Sequence, residues 1–225
     1  AKFQMVLVTG GNGFVGAYLL RYLLEKGAAI RATKRKGSNM DMVADIRDKI
    51  EWVDVDVLDV PALEDAFQGV KKVYHSAAVI SFNKRDKAMM MEVNKEGTAN
   101  MVNLALDFGI EKFLHISSIS ALGRTKSGKM ISEDAEWEKN KLNSDYAVSK
   151  LRSEREVWRG AAEGLNVAIV NPSVIIGAGK WATGTCKVFK KIAGGQALYP
   201  PGTTGYVDVR DVAKASIQLM ESDIS

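Results

Sequence analysis

Apolar and polar positions along the chain follow two alternating rhythms. Val6-Leu7-Val8 is a continuous apolar run. From Phe14 and Val15 onward, Leu19, Leu20, Leu23 and Leu24 recur at helical spacing until Gly27 interrupts them. The same exchange repeats downstream. Strands are expected over residues 28–33, 52–57, 73–76, 112–117 and 166–171. Helices are expected over 40–49, 61–68, 84–108 and 145–163, the last three closed by Gly69, Gly109 and Gly164. Residues 119–144 read as long and largely irregular. Strands that are apolar throughout, such as Val167-Ala168-Ile169-Val170, belong to sheets covered on both faces. Regular alternation of strand and helix implies right-handed crossovers and a parallel sheet. The predicted fold class is therefore a doubly wound, Rossmann-type α/β domain spanning residues 1–176. From 177 to 225 the pattern loosens around Gly194-Gly195 and Pro200-Pro201-Gly202. A short strand over 206–209 and a helix over 211–221 would begin an incomplete C-terminal substrate region, part of which returns to the main domain.

Composition narrows the class without changing it. An apolar fraction of 46% with 26% charged residues is that of an ordinary globular chain of 225 residues. The net charge of +4 comes from cations scattered among acids, with no basic arm and no basic stripe interleaved with aromatics. Nucleic acid is therefore not an expected partner. No apolar run reaches the length of a membrane span. A single cysteine, Cys186, suits a reducing compartment, and the first strand starts too early to leave room for a leader. The expectation is a cytoplasmic protein.

Candidate chemistry begins at Thr9-Gly10-Gly11-Asn12-Gly13-Phe14-Val15-Gly16. Glycines between a strand and a helix start can present bare backbone N–H groups to a phosphate, although a plain glycine-rich turn has the same spacing. A dinucleotide site usually ends its second strand on a carboxylate that holds the ribose 2′-hydroxyl. Here that position reads Thr33-Lys34-Arg35-Lys36, with three cations and no carboxylate. Guanidinium and ammonium groups bind a 2′-phosphate, so the turn points to NADP(H) over NAD(H), with Arg35 as the favoured clamp and Lys34 beside it. A solvated basic turn is the simpler reading. Further on, Tyr146 and Lys150 stand four apart on an expected helix, where an ammonium could lower the phenol's pKa and fit it for proton exchange. A surface helix pair would look the same. Ser117-Ser118-Ile119-Ser120 closes the fifth strand at its carboxyl end, where open parallel sheets bind ligands. A hydroxyl there could hold a carbonyl oxygen or merely end the strand. His75 and His115 read as satisfied core histidines with no metal-ligand partner at useful spacing, so no metal is expected.

Taken in order, these motifs resemble the extended short-chain dehydrogenase/reductase family, the epimerase/dehydratase-type branch. The resemblance runs from the N-terminus to about Ala213. It implies Ser118, Tyr146 and Lys150 as the catalytic set. It implies cofactor contacts at Gly10, Gly13, Phe14, Val15 and Gly16, at the acidic strand end Asp56-Val57, and at Ala77-Ala78-Val79 under the adenine ribose. Asn94 at a helix start, and Pro172 and Val174 beside the nicotinamide, complete the set with Tyr146 and Lys150. Tyr206 to Ala213 resembles the branch's late signature. The basic turn 31–35 and the acidic, Trp-containing loop 131–137 are similar to dihydroflavonol reductase and aldehyde/ketone reductase members. Asn171 departs from the pattern, since many members carry arginine there, and no role of that arginine carries over. Trp181 is a weaker candidate for lining a substrate pocket.

The activity implied is an NADP(H)-dependent reductase or dehydrogenase acting on a small carbonyl/alcohol pair. A nucleotide-sugar epimerase or dehydratase with tightly held NAD uses the same residues. A catalytically silent NADP(H) sensor would share the fold. The resemblance also implies a homodimer paired through helices near 85–108 and 145–163. Members continue well past residue 225, so the chain is expected to be a truncated form.

Overall fold

The computed structural model describes residues 4–123, 131–134, 137–138, 141–179, 184–195 and 204–224. The strands are β1 (Met5–Thr9), β2 (Ala29–Lys34), β3 (Glu51–Asp54), β4 (Val70–His75), β5 (Lys112–Ile116) and β6 (Val167–Val170). They form one parallel sheet in the order β3-β2-β1-β4-β5-β6. The chain builds outward from β1 to β3, then crosses back to place β4 on the other side of β1. The carboxyl ends of β1 and β4 thus flank the point where strand order reverses, the crevice in which doubly wound sheets bind ligands.

Side chains alternate along each strand, so neighbouring residues feed opposite cores. Val6 and Val8 of β1 pack with Ile30, Ala32, Leu114 and Ile116 against α1 (Phe14–Glu25) and α7 (Val209–Glu221). Leu7, between them, joins Val73, Phe113 and Val167 on the far face. That face is covered by α2 (Val60–Phe67), α4 (Gly97–Asp107) and α5 (Asp145–Ala162). Two helices of this face, α2 and α5, begin on side-chain caps. Asp59 accepts from Ala62 N at 3.2 Å, and Ser144 from Ala147 N at 3.1 Å.

The strand–helix alternation is borne out, and the departures are local. Residues 40–49 form two single 3₁₀ turns, Asp41–Val43 and Arg47–Lys49, in place of the expected helix. Arg21 explains part of this, because its guanidinium donates to Met42 O at 2.8 Å and Asp45 Oδ1 at 2.6 Å, drawing the segment onto α1. β3 stops at Asp54, three residues short of expectation, where Asp56 Oδ1 accepts from Leu58 N and turns the chain. β4 begins three residues early, at Val70.

The expected helix over 84–108 is interrupted. A 3₁₀ turn leads into α3 (Lys87–Met91), followed by a π turn at Glu92–Glu96 and then α4. Among the described residues, the strand β7 (Val174–Ile176) and the helix α6 (Cys186–Ala193) are not announced by the sequence pattern. β7 pairs in parallel with β8 (Tyr206–Asp208), apart from the main sheet. α7 follows at once, started by Asp208 Oδ1 accepting from Arg210 N at 2.8 Å, and brings Ala213, Ile217 and Met220 back to the core beside α1.

Candidate cofactor and catalytic site

The glycines where β1 turns into α1 have no room for a side chain. Gly10 has φ +65°, and a Cβ there would lie 3.0 Å from the backbone of Ala77. A Cβ on Gly16 would sit 2.2 Å from Gly10 O, inside any permitted contact. Gly13, at the N-cap of α1, is exposed and offers no side-chain cap, so the first N–H groups of the helix open outward. Bare N–H groups at a helix N-terminus beside a tight glycine turn fit a pyrophosphate. Phe14 and Val15 open the same helix.

Beside this turn lies a cleft of about 430 Å³, lined among others by Asn12, Gly13, Phe14, Arg35, Ser38 and Asn39. Arg35 is exposed at its edge. Lys34 occupies a different position, because its ammonium pairs with Asp54 at the end of β3. Of the two residues expected to hold an extra phosphate, Arg35 faces the cleft and Lys34 neutralises a neighbouring carboxylate. The contributions of Asn12, Ser38 and Asn39 were not anticipated. Asn12 Nδ2 donates to Ser38 Oγ and Asn39 O, each at 3.0 Å, tying the first loop to the second.

The other expected cofactor residues fall along the carboxyl edge of the sheet. Asp56 is exposed just past β3, while Val57 is buried and its carbonyl accepts from Asn100 Nδ2 at 3.0 Å. Ala77, Ala78 and Val79 follow β4. Thr9 Oγ1 accepts from Ser76 N and Ala77 N at 3.2 and 3.1 Å, so the β1 and β4 ends are fastened by one hydroxyl. Asn94, buried in the π turn, clamps Val79 with both halves of its amide, Oδ1 accepting from Val79 N at 2.7 Å and Nδ2 donating to Val79 O at 2.9 Å. The same Nδ2 donates to Ser149 Oγ at 3.0 Å. A π turn widens the helix locally, and here it carries Asn94 inward to join the β4 end to α5. Pro172 is buried and its carbonyl accepts from Ile119 N at 3.0 Å, while Val174 opens β7.

The three expected catalytic residues converge at the ends of β5 and α5. Ser118 Oγ accepts from Ser120 N at 3.1 Å, and the Ser118 hydroxyl lies near enough to the Tyr146 phenol to favour its anion. Lys150 is fully buried one turn along, and its ammonium donates to Ile116 O at 2.9 Å. Burial lowers Lys150 to about 8, against the opposing influence of Glu154. Tyr146 corrects the sequence expectation. Burial pushes its phenol above the ordinary 10.0, and the Ser118 side chain, which favours the phenolate, only opposes that shift. The phenol is held protonated, because desolvation of the anion outweighs the groups around it.

Glu154 was also missed. Its Oε2 accepts from Ser117 Oγ at 2.6 Å and from Asn171 Nδ2 at 2.9 Å, and Asn171 Nδ2 also donates to Ser118 O at 3.2 Å. The residue that departs from the family pattern thus helps hold the serine segment. Phe82, 79% exposed, sets its ring 6.1 Å from that of Tyr146, edge to face, and Ile80 nearby in sequence is also exposed. Trp181, and Ala135 and Glu136 of the acidic loop, lie outside the described residues.

A glycine turn at the switch point, with Ser118, Tyr146 and Lys150 near the neighbouring strand end, sits on a Rossmann-like α/β enzyme fold. The model of the NAD dependent epimerase/dehydratase family matches residues 6–224, and the chain belongs to this branch of the extended short-chain dehydrogenases/reductases. Among its relatives, "Putative dihydroflavonol 4-reductase" of Synechocystis is 35% identical over 95% of this chain and 62% of its own length. Cinnamoyl-CoA reductase 1 of Oryza sativa is 30% identical over 97% of this chain and 68% of its own.

Two solved structures share the fold. The crystal structure of gox2253 superposes with TM-score 0.89 at 33% identity, over 97% of this chain and 66% of that one. UDP-glucose 4-epimerase of Thermus thermophilus, in complex with NAD, gives 0.82 at 25% identity, over 97% and 75%. This chain therefore spans about two thirds of the length of these relatives. Among the described residues, no helix is long and apolar enough to cross a membrane.

Proposed function

We propose that this chain carries the cofactor site and proton-handling residues of an NADP(H)-dependent reductase or dehydrogenase that interconverts a carbonyl and an alcohol. The observation that carries the reading is the convergence of Ser118, the Tyr146 phenol and the buried Lys150 at the carboxyl edge of the sheet, where the glycine turn also opens. The cofactor, when bound, supplies or accepts the hydride. The chain's own residues do the rest. The Gly10–Gly16 turn and the α1 N-terminus hold the pyrophosphate, and Arg35 holds the 2′-phosphate. Asp56-Val57 and Ala77-Ala78-Val79 border the adenosine half, and Pro172 and Val174 border the nicotinamide. Ser118 donates to the substrate oxygen. Tyr146, kept protonated by burial, gives that oxygen a proton during reduction. Lys150 then stabilises the phenolate that remains.

Phe82, exposed beside the phenol, favours a substrate with an apolar body next to its carbonyl. The reductase relatives support this over the epimerase reading, as does Arg35 in the cleft.

The test pairs two variants. Tyr146→Phe should lower turnover by about 10² or more while NADPH binding is kept. Arg35→Ala should remove any preference for NADPH over NADH in fluorescence titrations. Full activity in Tyr146→Phe would overturn the mechanism. NAD retained through purification, with no gain for NADP(H), would favour the epimerase reading. The homodimer is proposed through the helices around 85–108 and 145–163, where Met89 and Trp158 stand exposed. A monomer by light scattering at micromolar protein would refute it. We also place the protein in the cytoplasm, in keeping with a single cysteine that has no partner to pair with.

A further inference from the structure

Behind Lys150 lies a buried polar chain that the proposed reaction does not use. Thr9 Oγ1 meets His75 Nδ1 at 2.8 Å, and His75 Nε2 meets Thr98 Oγ1 at 3.0 Å. Thr98 Oγ1 meets Ser153 Oγ at 2.8 Å, Ser153 Oγ meets His115 Nε2 at 3.2 Å, and His115 Nε2 meets Lys150 Nζ at 3.4 Å. The two imidazoles stack at 5.3 Å with 27° between their planes. The donors in this chain can be assigned by counting protons.

Thr9 Oγ1 already accepts from Ser76 N and Ala77 N, so its own proton goes to His75 Nδ1. His75 is therefore the Nε2–H tautomer and donates to Thr98. Thr98 spends its proton on Asn94 O at 2.7 Å, so the contact with Ser153 uses the serine's proton. Ser153 then has only a lone pair to offer His115 Nε2 and requires an N–H there. Lys150, as an ammonium, requires a lone pair at the same nitrogen. One atom faces two opposite demands, and His115 Nδ1 is buried with no partner among the described residues to break the tie.

We propose that His115 is a positioning residue for Lys150 whose tautomer follows the charge on that lysine. With Lys150 charged, the ring is the Nδ1–H form and accepts at Nε2, so two of the three ammonium donors are anchored on β5 and the third is aimed by them. With Lys150 neutral, the ring is the Nε2–H form and donates to Ser153. The net change is Lys150–NH₃⁺ plus Nδ1–H imidazole going to Lys150–NH₂ plus Nε2–H imidazole plus one released proton. The ring stays neutral throughout, as burial and the nearby Lys150 charge require, since both hold His115 well below the ordinary 6.5.

The groups facing His115 are few. His75 lies on β4 and Ile169 on β6, both at register with it, and Ser153 and Lys150 stand on α5. Lys150 in turn is affected by Glu154. The inference rests on the reading of Lys150 as a charged site residue.

The chain holds only two histidines, which makes the test direct. Long-range ¹H–¹⁵N spectra of the protein labelled at histidine report each ring's tautomer, with His115→Phe assigning the signals and keeping the stacked ring. At pH 6.5 one ring should be Nε2–H (His75) and the other Nδ1–H (His115). In Lys150→Met the His115 ring should change to Nε2–H, and in the parent protein it should do so as pH passes about 8. Finding both rings as Nε2–H at pH 6.5, or a His115 tautomer indifferent to Lys150→Met, would overturn the proposal. None of these readouts needs turnover, so a failed reductase assay and a failed tautomer assignment are separate results.

Discussion

Replacing Lys150 with methionine separates what this residue costs the fold from what it does in the site. Methionine keeps most of the unbranched stem and removes the charge. Burial holds Lys150 at about 8 against the ordinary 10.5. At 1.36 kcal/mol per pH unit, that difference is worth about 3 kcal/mol. Its sign follows from linkage. Between about pH 8 and 10.5 the unfolded lysine binds a proton that the native one has lost, so native stability rises with pH across that window. Below pH 8 both states are charged and the full desolvation cost is borne by the native state.

The substitution also leaves Ile116 O without its partner, at about 1–3 kcal/mol. At pH 7 Lys150→Met should therefore be as stable as the parent or more stable, by up to about 2 kcal/mol. The sharper quantity is the change in that difference. Groups shared by both proteins cancel, so the variant's advantage should shrink by about 3 kcal/mol between pH 7 and pH 10.5. Urea unfolding followed by tryptophan fluorescence at the two pH values measures it. An advantage that is the same at both pH values, or that grows at the higher one, would refute the claim that Lys150 sits buried and charged at a cost.

Two further outcomes probe the cradle and the serine segment. Gly16→Ala should abolish measurable NADPH binding while far-UV circular dichroism stays close to that of the parent, since its Cβ would meet Gly10 O at 2.2 Å and only the turn can yield. Glu154→Ala releases Ser117 and Asn171 together, and through Asn171 the Ser118 carbonyl. Turnover should fall about tenfold with NADPH affinity unchanged, and a loss confined to cofactor affinity would contradict that assignment.

Much of the site was legible because its chemistry is written in local spacing. Gly10, Gly13 and Gly16 announce a strand–turn–helix, and Tyr146 and Lys150 share a helix face. The apolar runs identify β1, β5 and β6 as buried on both sides. Short elements were less legible. β7 is three residues long and finds its partner some thirty residues later, beyond any window of periodicity. The segment 40–49 lost its helix to a guanidinium from α1. Nor does spacing reveal a π turn, although Asn94 and Thr98, like Ser149 and Ser153, repeat at i, i+4 as a stripe of polar groups on faces that prove to be buried.

What the sequence determined by itself is the architecture and the residue types that meet at its carboxyl edge, because periodicity and backbone tolerance act over a few residues. Only the tertiary structure decided their states. It committed Lys34 to Asp54 and left Arg35 in the cleft. It kept the Tyr146 phenol protonated where the neighbouring lysine alone suggested the reverse. It also joined two histidines, forty residues apart and each unremarkable in its own strand, into one chain of hydroxyls and rings ending on Lys150. Protonation depends on how much water is excluded and which dipoles remain, and both are set by elements distant in sequence that close over the same few atoms.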